Sequence, residues 1–281
     1  MPLTHHVCEN CGFWQRRPGT PTGCPVCEDH RHDLPPDGFA FRTAQQVAQD
    51  VETTWTEVEP GVHRFDASER FVIGPSGYVV EHPDGNVAFE GPPWWSDAAL
   101  DRIEQLGGLA WIGASHPHAY GALWRLKERF PDAEVAINVL DLQWANAVQV
   151  TWPWDDELPL ARGLTLHRTA GHFPGHTVLH DAQRGILFAG DALKLDLDPD
   201  DPRTALGISC HKAFVRDVPL TPAELRGYRA VFERLDFDQV WTPFEQGANA
   251  GRDDALALVD EQLAGRPHTR FRPVARPKAP S

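Results

Sequence analysis

The chain has 281 residues, 41% hydrophobic and 23% charged, a composition that suits one large α/β domain with a small appendage and excludes wholesale disorder, a collagen-like fibre or a coiled coil. Its 40 acidic residues outnumber its 26 basic ones, and the resulting net charge of −14 repels a phosphate backbone, so nucleic acid is not an expected partner. No run of 18 apolar residues occurs, and the start lacks the cationic stretch and apolar segment of an export signal, so the expectation is a cytoplasmic protein with no membrane partner.

In chain order the cysteines come first. Cys8, Cys11, Cys24 and Cys27 form the pattern C-x2-C-x12-C-x2-C. A two-residue gap lets both thiolates of a knuckle reach one ion, and two knuckles make a closed tetrahedral site with no open position, which is structural and not catalytic. Two disulfides are the lesser reading, since those belong to oxidising compartments. The knuckles Cys8-Glu9-Asn10-Cys11-Gly12 and Cys24-Pro25-Val26-Cys27-Glu28 resemble those of rubredoxins, but the short spacer is similar to that of a zinc ribbon. A module this small has almost no core, so zinc has to supply its folding free energy.

The ribbon and its linker are expected to occupy residues 1–45, with the linker in the charged, proline- and histidine-rich stretch from 28 onward. A main domain is expected over 46–264. Short alternating runs at 61–66, 71–73, 78–81 and 86–89, separated by Pro-Ser-Gly and Pro-Asp-Gly turns, predict antiparallel strands. A β/α rhythm follows: a helix capped by Ser96 to about residue 106, a strand at 109–114, an amphipathic helix at 119–130 and a strand at 134–139. A second half repeats the order, with strands at 164–170, 176–180 and 185–189, a helix at 221–235, a strand at 239–242 and a helix at 252–264. Strands first and β/α units after, twice over, suggest two packed sheets with helices outside. Residues 192–219 carry few regular signals. The tail, 265–281, has five basic residues, four prolines and no acid, and is expected to be flexible.

Three of these strand ends carry the residue types of a catalytic metal site, where active sites of such sheets collect. They are Ser115-His116-Pro117-His118-Ala119-Tyr120-Gly121, Ala170-Gly171-His172-Phe173-Pro174-Gly175-His176 and Ala189-Gly190-Asp191. Two histidines one residue apart on a loop can face one ion, a third from another loop completes a facial set, and a carboxylate fills or orients a fourth position. Each histidine alone reads as an ordinary loop residue; the joint placement at three strand ends is what points to a metal. His176 reads equally as a hydrogen-bond partner behind the ligands or as the start of a strand. Cys210 reads as a free structural thiol, and His63, His82, His167 and His180 as packed or solvated residues.

These segments resemble the metallo-β-lactamase-like hydrolases, whose pattern runs H-x-H-x-D-H, then G-H-x-P-G-H or G-H-x-P-G-S, then G-D, then P-G-H-G. His116 and His118 match the first motif, His172 the second and Asp191 the third. The resemblance covers about residues 50–264 and implies an αββα metallo-β-lactamase-like sandwich, here with a small N-terminal zinc-ribbon module. A subgroup carrying a four-cysteine ribbon is similar in its S-H-P-H and A-G-H-F-P-G-H segments. Two departures stand out: Tyr120 and Gly121 replace the Asp and His of the first motif, and Pro243-Phe244-Glu245-Gln246-Gly247 replaces P-G-H-G. In the family those positions serve a second metal, so the resemblance implies one ion, zinc or iron, on His116, His118, His172 and Asp191.

The implied activity is metal-dependent hydrolysis of a small-molecule ester, thioester, lactone or related carbonyl compound, with Asp191 or Glu245 doing the work of the missing Asp and Tyr120 as a further catalytic candidate. The alternatives are a mononuclear non-haem iron oxygenase or redox enzyme on the same fold, and a binding or regulatory protein with a decayed site. The sequence specifies neither the substrate nor the oligomeric state.

Overall fold

A computed structural model of the chain describes residues 2–29, 33–68, 71–266 and 270–274. The chain divides into two compact units, residues 1–154 and 155–281, the first of which includes the ribbon.

In the first unit, β1 (Leu3–Cys8) pairs antiparallel with β2 (Trp14–Pro18) and β3 (Phe41–Thr43), giving a three-stranded ribbon sheet. After the single turn α1 (Ala44–Val47) come four antiparallel strands, β4 (Thr53–Glu59), β5 (Val62–Ala67), β6 (Gly77–Val80) and β7 (Val87–Phe89). The pattern then turns parallel. Helix α2 (Asp97–Gln105) leads to β8 (Trp111–Gly113), α3 (Leu123–Arg129) to β9 (Glu134–Asn138), and a longer connection to β10 (Trp152–Trp154), completing a sheet of order β10-β9-β8-β7-β6-β5-β4. Parallel neighbours require such crossovers, whereas antiparallel ones need only turns. Ser96 caps α2 by accepting from the Ala99 N–H, and Ala99, Leu100 and Ile103 form its buried stripe.

The second unit is built around a sheet of order β11-β12-β13-β14-β17-β18. Its members are β11 (Glu157–Ala161), β12 (Leu164–Arg168), β13 (Thr177–Asp181), β14 (Ile186–Phe188), β17 (Gln239–Trp241) and β18 (Gln246–Gly247). A hairpin of β15 (Lys194–Leu197) and β16 (Ala205–Ser209) lies in the stretch that carried few regular signals. Helices α4 (Pro222–Phe232) and α5 (Arg252–Leu263) complete the unit, with Leu187, Val240, Tyr228, Phe232 and Leu258 in its core. Thr221 and Glu224 close a capping box at the start of α4.

Several expectations need correction. Residues 71–73 form a turn, with Val72 in the left-handed region at φ 54°, and not a strand. The expected helix from 119 begins only at Leu123, because Pro117–Ala119 is a 3-10 turn and Gly121 is left-handed. Part of the expected flexible tail is ordered: β19 (Arg272–Pro273) pairs with Gly207 and Ile208, and Val274 is buried. Residues 267–269 and 275–281 of that tail lie outside the described residues. Among the described residues no helix is long and apolar enough to cross a membrane.

His167 on β12 gives the second unit a pH dependence. Burial holds its pKa down to about 4 from 6.5, outweighing the Glu157 carboxylate at 3.3 Å, while His180 and Arg234 lower it further. The unfolded chain therefore takes up a proton near pH 6.5 that the folded chain accepts only near 4, and stability present above 6.5 falls as the pH drops through that window. His167→Gln should flatten this fall in urea-denaturation midpoints between pH 7 and pH 4. An unchanged slope would show that His167 does not carry it.

Candidate metal centres

The ribbon cysteines sit where the local backbone turns. Cys8 ends β1, Gly12 in the left-handed region returns its N–H to the Cys8 carbonyl at 2.8 Å, and the Glu28 N–H bonds the Cys24 carbonyl at 3.0 Å. All four thiols are free and buried, with Sγ separations of 3.9 Å for Cys8–Cys27 and 3.6 Å for Cys11–Cys24. A disulfide needs about 2.05 Å, whereas the edge of a tetrahedron with metal–sulfur bonds of about 2.3 Å is about 3.8 Å. The spacing fits a four-thiolate ion and excludes two disulfides. Hydrogen bonds from Cys11, Cys24 and Cys27 hold the Cys8 thiol well below its ordinary range, and those shared with Cys24, Cys27 and Cys8, together with burial, push Cys11 up.

In the first unit, β7 and β8 run parallel with Phe89 opposite Gly113, so Glu90 and the Ala114–Ser115 step leave the sheet side by side. The Ser115 N–H donates to Glu90 Oε2 at 3.0 Å, and Ser115 Oγ and His116 Nδ1 share a hydrogen bond of 2.7 Å. Glu90 is itself fully buried and left-handed at φ 66°, a costly backbone state for a side chain that large. His116 and His118 are both buried, their rings 5.4 Å apart and perpendicular. Tyr120 follows, and burial, then Asp141 and Glu90, push its phenol well above its ordinary pKa. It therefore stays protonated and is a hydrogen-bond donor, not a base.

Gly121 explains the departure beside it. Its φ is 46°, and a Cβ there would lie 2.3 Å from the Gly91 carbonyl oxygen and 2.4 Å from that of Pro92. The position that carries a histidine in the family motif has no room for any side chain, so no ligand can come from residue 121.

In the second unit the same logic of strand ends applies. Antiparallel β12–β13 and β13–β14 and parallel β14–β17 bring the end of β12, the start of β13 and the ends of β14 and β17 to one edge. His172 Nδ1–H donates to the Lys212 carbonyl at 2.7 Å, which fixes the tautomer and leaves Nε2 as the lone-pair nitrogen, 3.5 Å from Asp191 Oδ2. His176 Nε2 accepts the Asp191 N–H at 3.1 Å while its Nδ1–H bonds the Thr169 hydroxyl at 2.8 Å, so His176 orients Asp191 and precedes β13 as well. Glu245, in the turn between β17 and β18, accepts from the Thr242 hydroxyl. Burial raises its pKa against that hydrogen bond and Lys194, and the charge of Asp191 raises it further. Cys210 is an inert structural thiol, its pKa pushed up to about 12 by burial.

Sequence reasoning missed Glu90, Thr169 and Lys212 as supports. Glu90 and Thr169 abut their partners only through strand pairing, and Lys212 acts through its carbonyl, which no side-chain pattern announces.

With the fold and donors in place, the chain belongs to the metallo-β-lactamase superfamily, whose pattern it matches over residues 103–270. The uncharacterized protein YmaE of Bacillus subtilis (strain 168) is 25% identical over 268 residues, covering 90% of this chain and 93% of its own. Among solved structures, the metallo-β-lactamase FIM-1 from Pseudomonas aeruginosa in its mono-zinc form superposes with a TM-score of 0.56 at 17% identity, over 77% of this chain and 96% of that one. The metallo-β-lactamase from Pontibacter korlensis gives 0.52 at 16%, over 75% and 100%. These likenesses establish the fold. Metallo-β-lactamase folds bind metal ions, and His116, His118, His172 and Asp191, like the four ribbon cysteines, carry donors that could hold one.

The close approach at residue 121 has a direct test. Gly121→Ala should lower stability by about 1–3 kcal/mol, because it adds a left-handed side chain against backbone that cannot yield. Chemical denaturation measures it, and a variant as stable as the parent would refute the packing described.

Proposed function

We propose that His116, His118, His172 and Asp191 hold a single zinc or iron ion and that the protein is a metal-dependent hydrolase of an ester, thioester, lactone or related carbonyl compound. The observation that carries this reading is the His172–Asp191 pair. Its donor atoms are 3.5 Å apart, and the Nδ1–H of His172 is committed to the Lys212 carbonyl, so Nε2 faces Asp191 with its lone pair. A tetrahedral ion with ligands at about 2.0–2.1 Å sets neighbouring donors about 3.4 Å apart. His116 and His118, buried on one loop, supply two further imidazoles of the kind such an ion takes.

When bound, the ion supplies Lewis acidity, lowering the pKa of water toward neutrality and polarising a carbonyl oxygen. The protein's own groups do the rest. His172 is held by Lys212 and Asp191 by His176, so neither ligand has to be ordered during turnover. Asp191 is the carboxylate placed to bind the ion or to take the proton of the attacking water. Glu245, buried and hydrogen-bonded to the Thr242 hydroxyl, is the second carboxyl group proposed for that work. Tyr120, kept protonated, serves as a donor at most.

Asp191→Asn keeps the size of the side chain and removes its charge. Metal affinity or turnover should fall by about 10² or more, the scale of losing a general base, on a substrate found by screening esters, thioesters and lactones. Glu245→Gln should cost less. Full metal content and full turnover in Asp191→Asn would end this mechanism, and oxygen consumption by an iron-loaded protein would replace hydrolysis with oxidation.

A further inference from the structure

Two ribbon side chains, Trp14 and His5, pack on the rest of the first unit. Trp14, on β2 and almost fully buried, donates its indole N–H to the Pro93 carbonyl at 2.9 Å. Its ring packs against Trp94 at 5.7 Å and, edge-on, against Trp124 at 5.4 Å, while His5 of β1 stacks on Trp124 at 3.8 Å. Aromatic pairs of this kind contribute about 0.5–1.5 kcal/mol each beyond the area they bury. Pro93 ends a short segment, residues 90–93, that makes several contacts with the loop bearing His116 and His118. Glu90 accepts the Ser115 N–H, the Gly91 N–H donates to the Ala119 carbonyl at 2.9 Å, and the Ala122 N–H donates to the Pro92 carbonyl at 3.2 Å. Gly121 lies against the Gly91 and Pro92 carbonyls with no space to spare.

We propose that the four-cysteine ribbon is a positioning element for the histidine loop and that Trp14 is the positioning residue through which it acts. The chain of contacts is continuous within one unit: the thiolate cluster folds the ribbon, β2 fixes Trp14, Trp14 holds Pro93, and residues 90–93 hold Ser115 to Ala122. A ribbon with almost no core of its own depends on its ion to present Trp14 in one place. Loss of that ion therefore loosens the segment on which His116 and His118 are mounted. The inference rests on the ligand assignment proposed above only where it concerns metal affinity; the loop contacts stand without it.

Trp14→Phe retains the packing and removes the N–H donor. With Co²⁺ as the probe, the thiolate-to-metal charge-transfer band of the ribbon should be unchanged, while affinity at the histidine site falls about tenfold, the lower end of the loss seen when the groups that orient ligands are removed. Affinity within twofold of the parent, in a folded variant, would overturn the proposal. A second measurement needs no substitution. In wild-type protein, release of the ribbon ion with a mercurial thiol reagent should speed amide exchange across residues 115–122, and unaltered exchange there would also overturn it. If His116→Ala and His172→Ala leave the second ion bound, the ligand assignment fails, and the exchange measurement still decides whether the ribbon holds the loop.

Discussion

The backbone of residues 119–122 touches the backbone of residues 91–92, and that contact governs what the loop of His116 and His118 can be. The Gly91 N–H meets the Ala119 carbonyl, the Ala122 N–H meets the Pro92 carbonyl, and Gly121 fills the gap between them as the residue without a Cβ. The same segment begins with Glu90, forced into a left-handed state, fully buried and bound to Ser115 beside His116. A loop held this way presents two histidines firmly and cannot present a third. The departure from the family motif is therefore part of the packing and not an accident of one substitution.

The second unit reaches the same end by different means. Four strand ends meet at one edge, and the donors there are oriented by backbone groups: the Lys212 carbonyl fixes the tautomer of His172, and the Asp191 N–H points at His176. Such fixed partners are what keep a ligand in its productive geometry before any ion or substrate arrives. The two carboxyl groups also sit in different surroundings. Asp191 lies 3.5 Å from a histidine nitrogen, whereas Glu245 is buried with a raised pKa and a hydroxyl partner.

Much of this was legible in the residues. Short strands buried along their whole length, such as Gly77–Val80 and Thr177–Asp181, and helices with a side-chain cap, such as those following Ser96 and Thr221, lie within a few residues of their predicted positions. The hidden elements have physical reasons. Thr53–Glu59 is mostly exposed and carries no apolar alternation, Trp152–Trp154 and Arg272–Pro273 are very short edge strands containing proline, and the hairpin of 194–209 is interrupted by a register shift at Asp196–Leu197. The candidate metal donors stand out in the sequence because each lies beside glycine or proline at a strand end. Their supports do not, since Glu90, Thr169 and Lys212 become neighbours only once the strands are paired.

The central proposal is that this superfamily member holds one ion in its ribbon and one at His116, His118, His172 and Asp191, with Gly121 and Tyr120 offering no second position. An anomalous-scattering map of crystals of the purified protein tests it most directly. The account predicts two peaks per chain, one among Cys8, Cys11, Cys24 and Cys27 and one at His116, His118, His172 and Asp191. A third peak about 3.5–4 Å from the second, the spacing of a two-metal site, would contradict it.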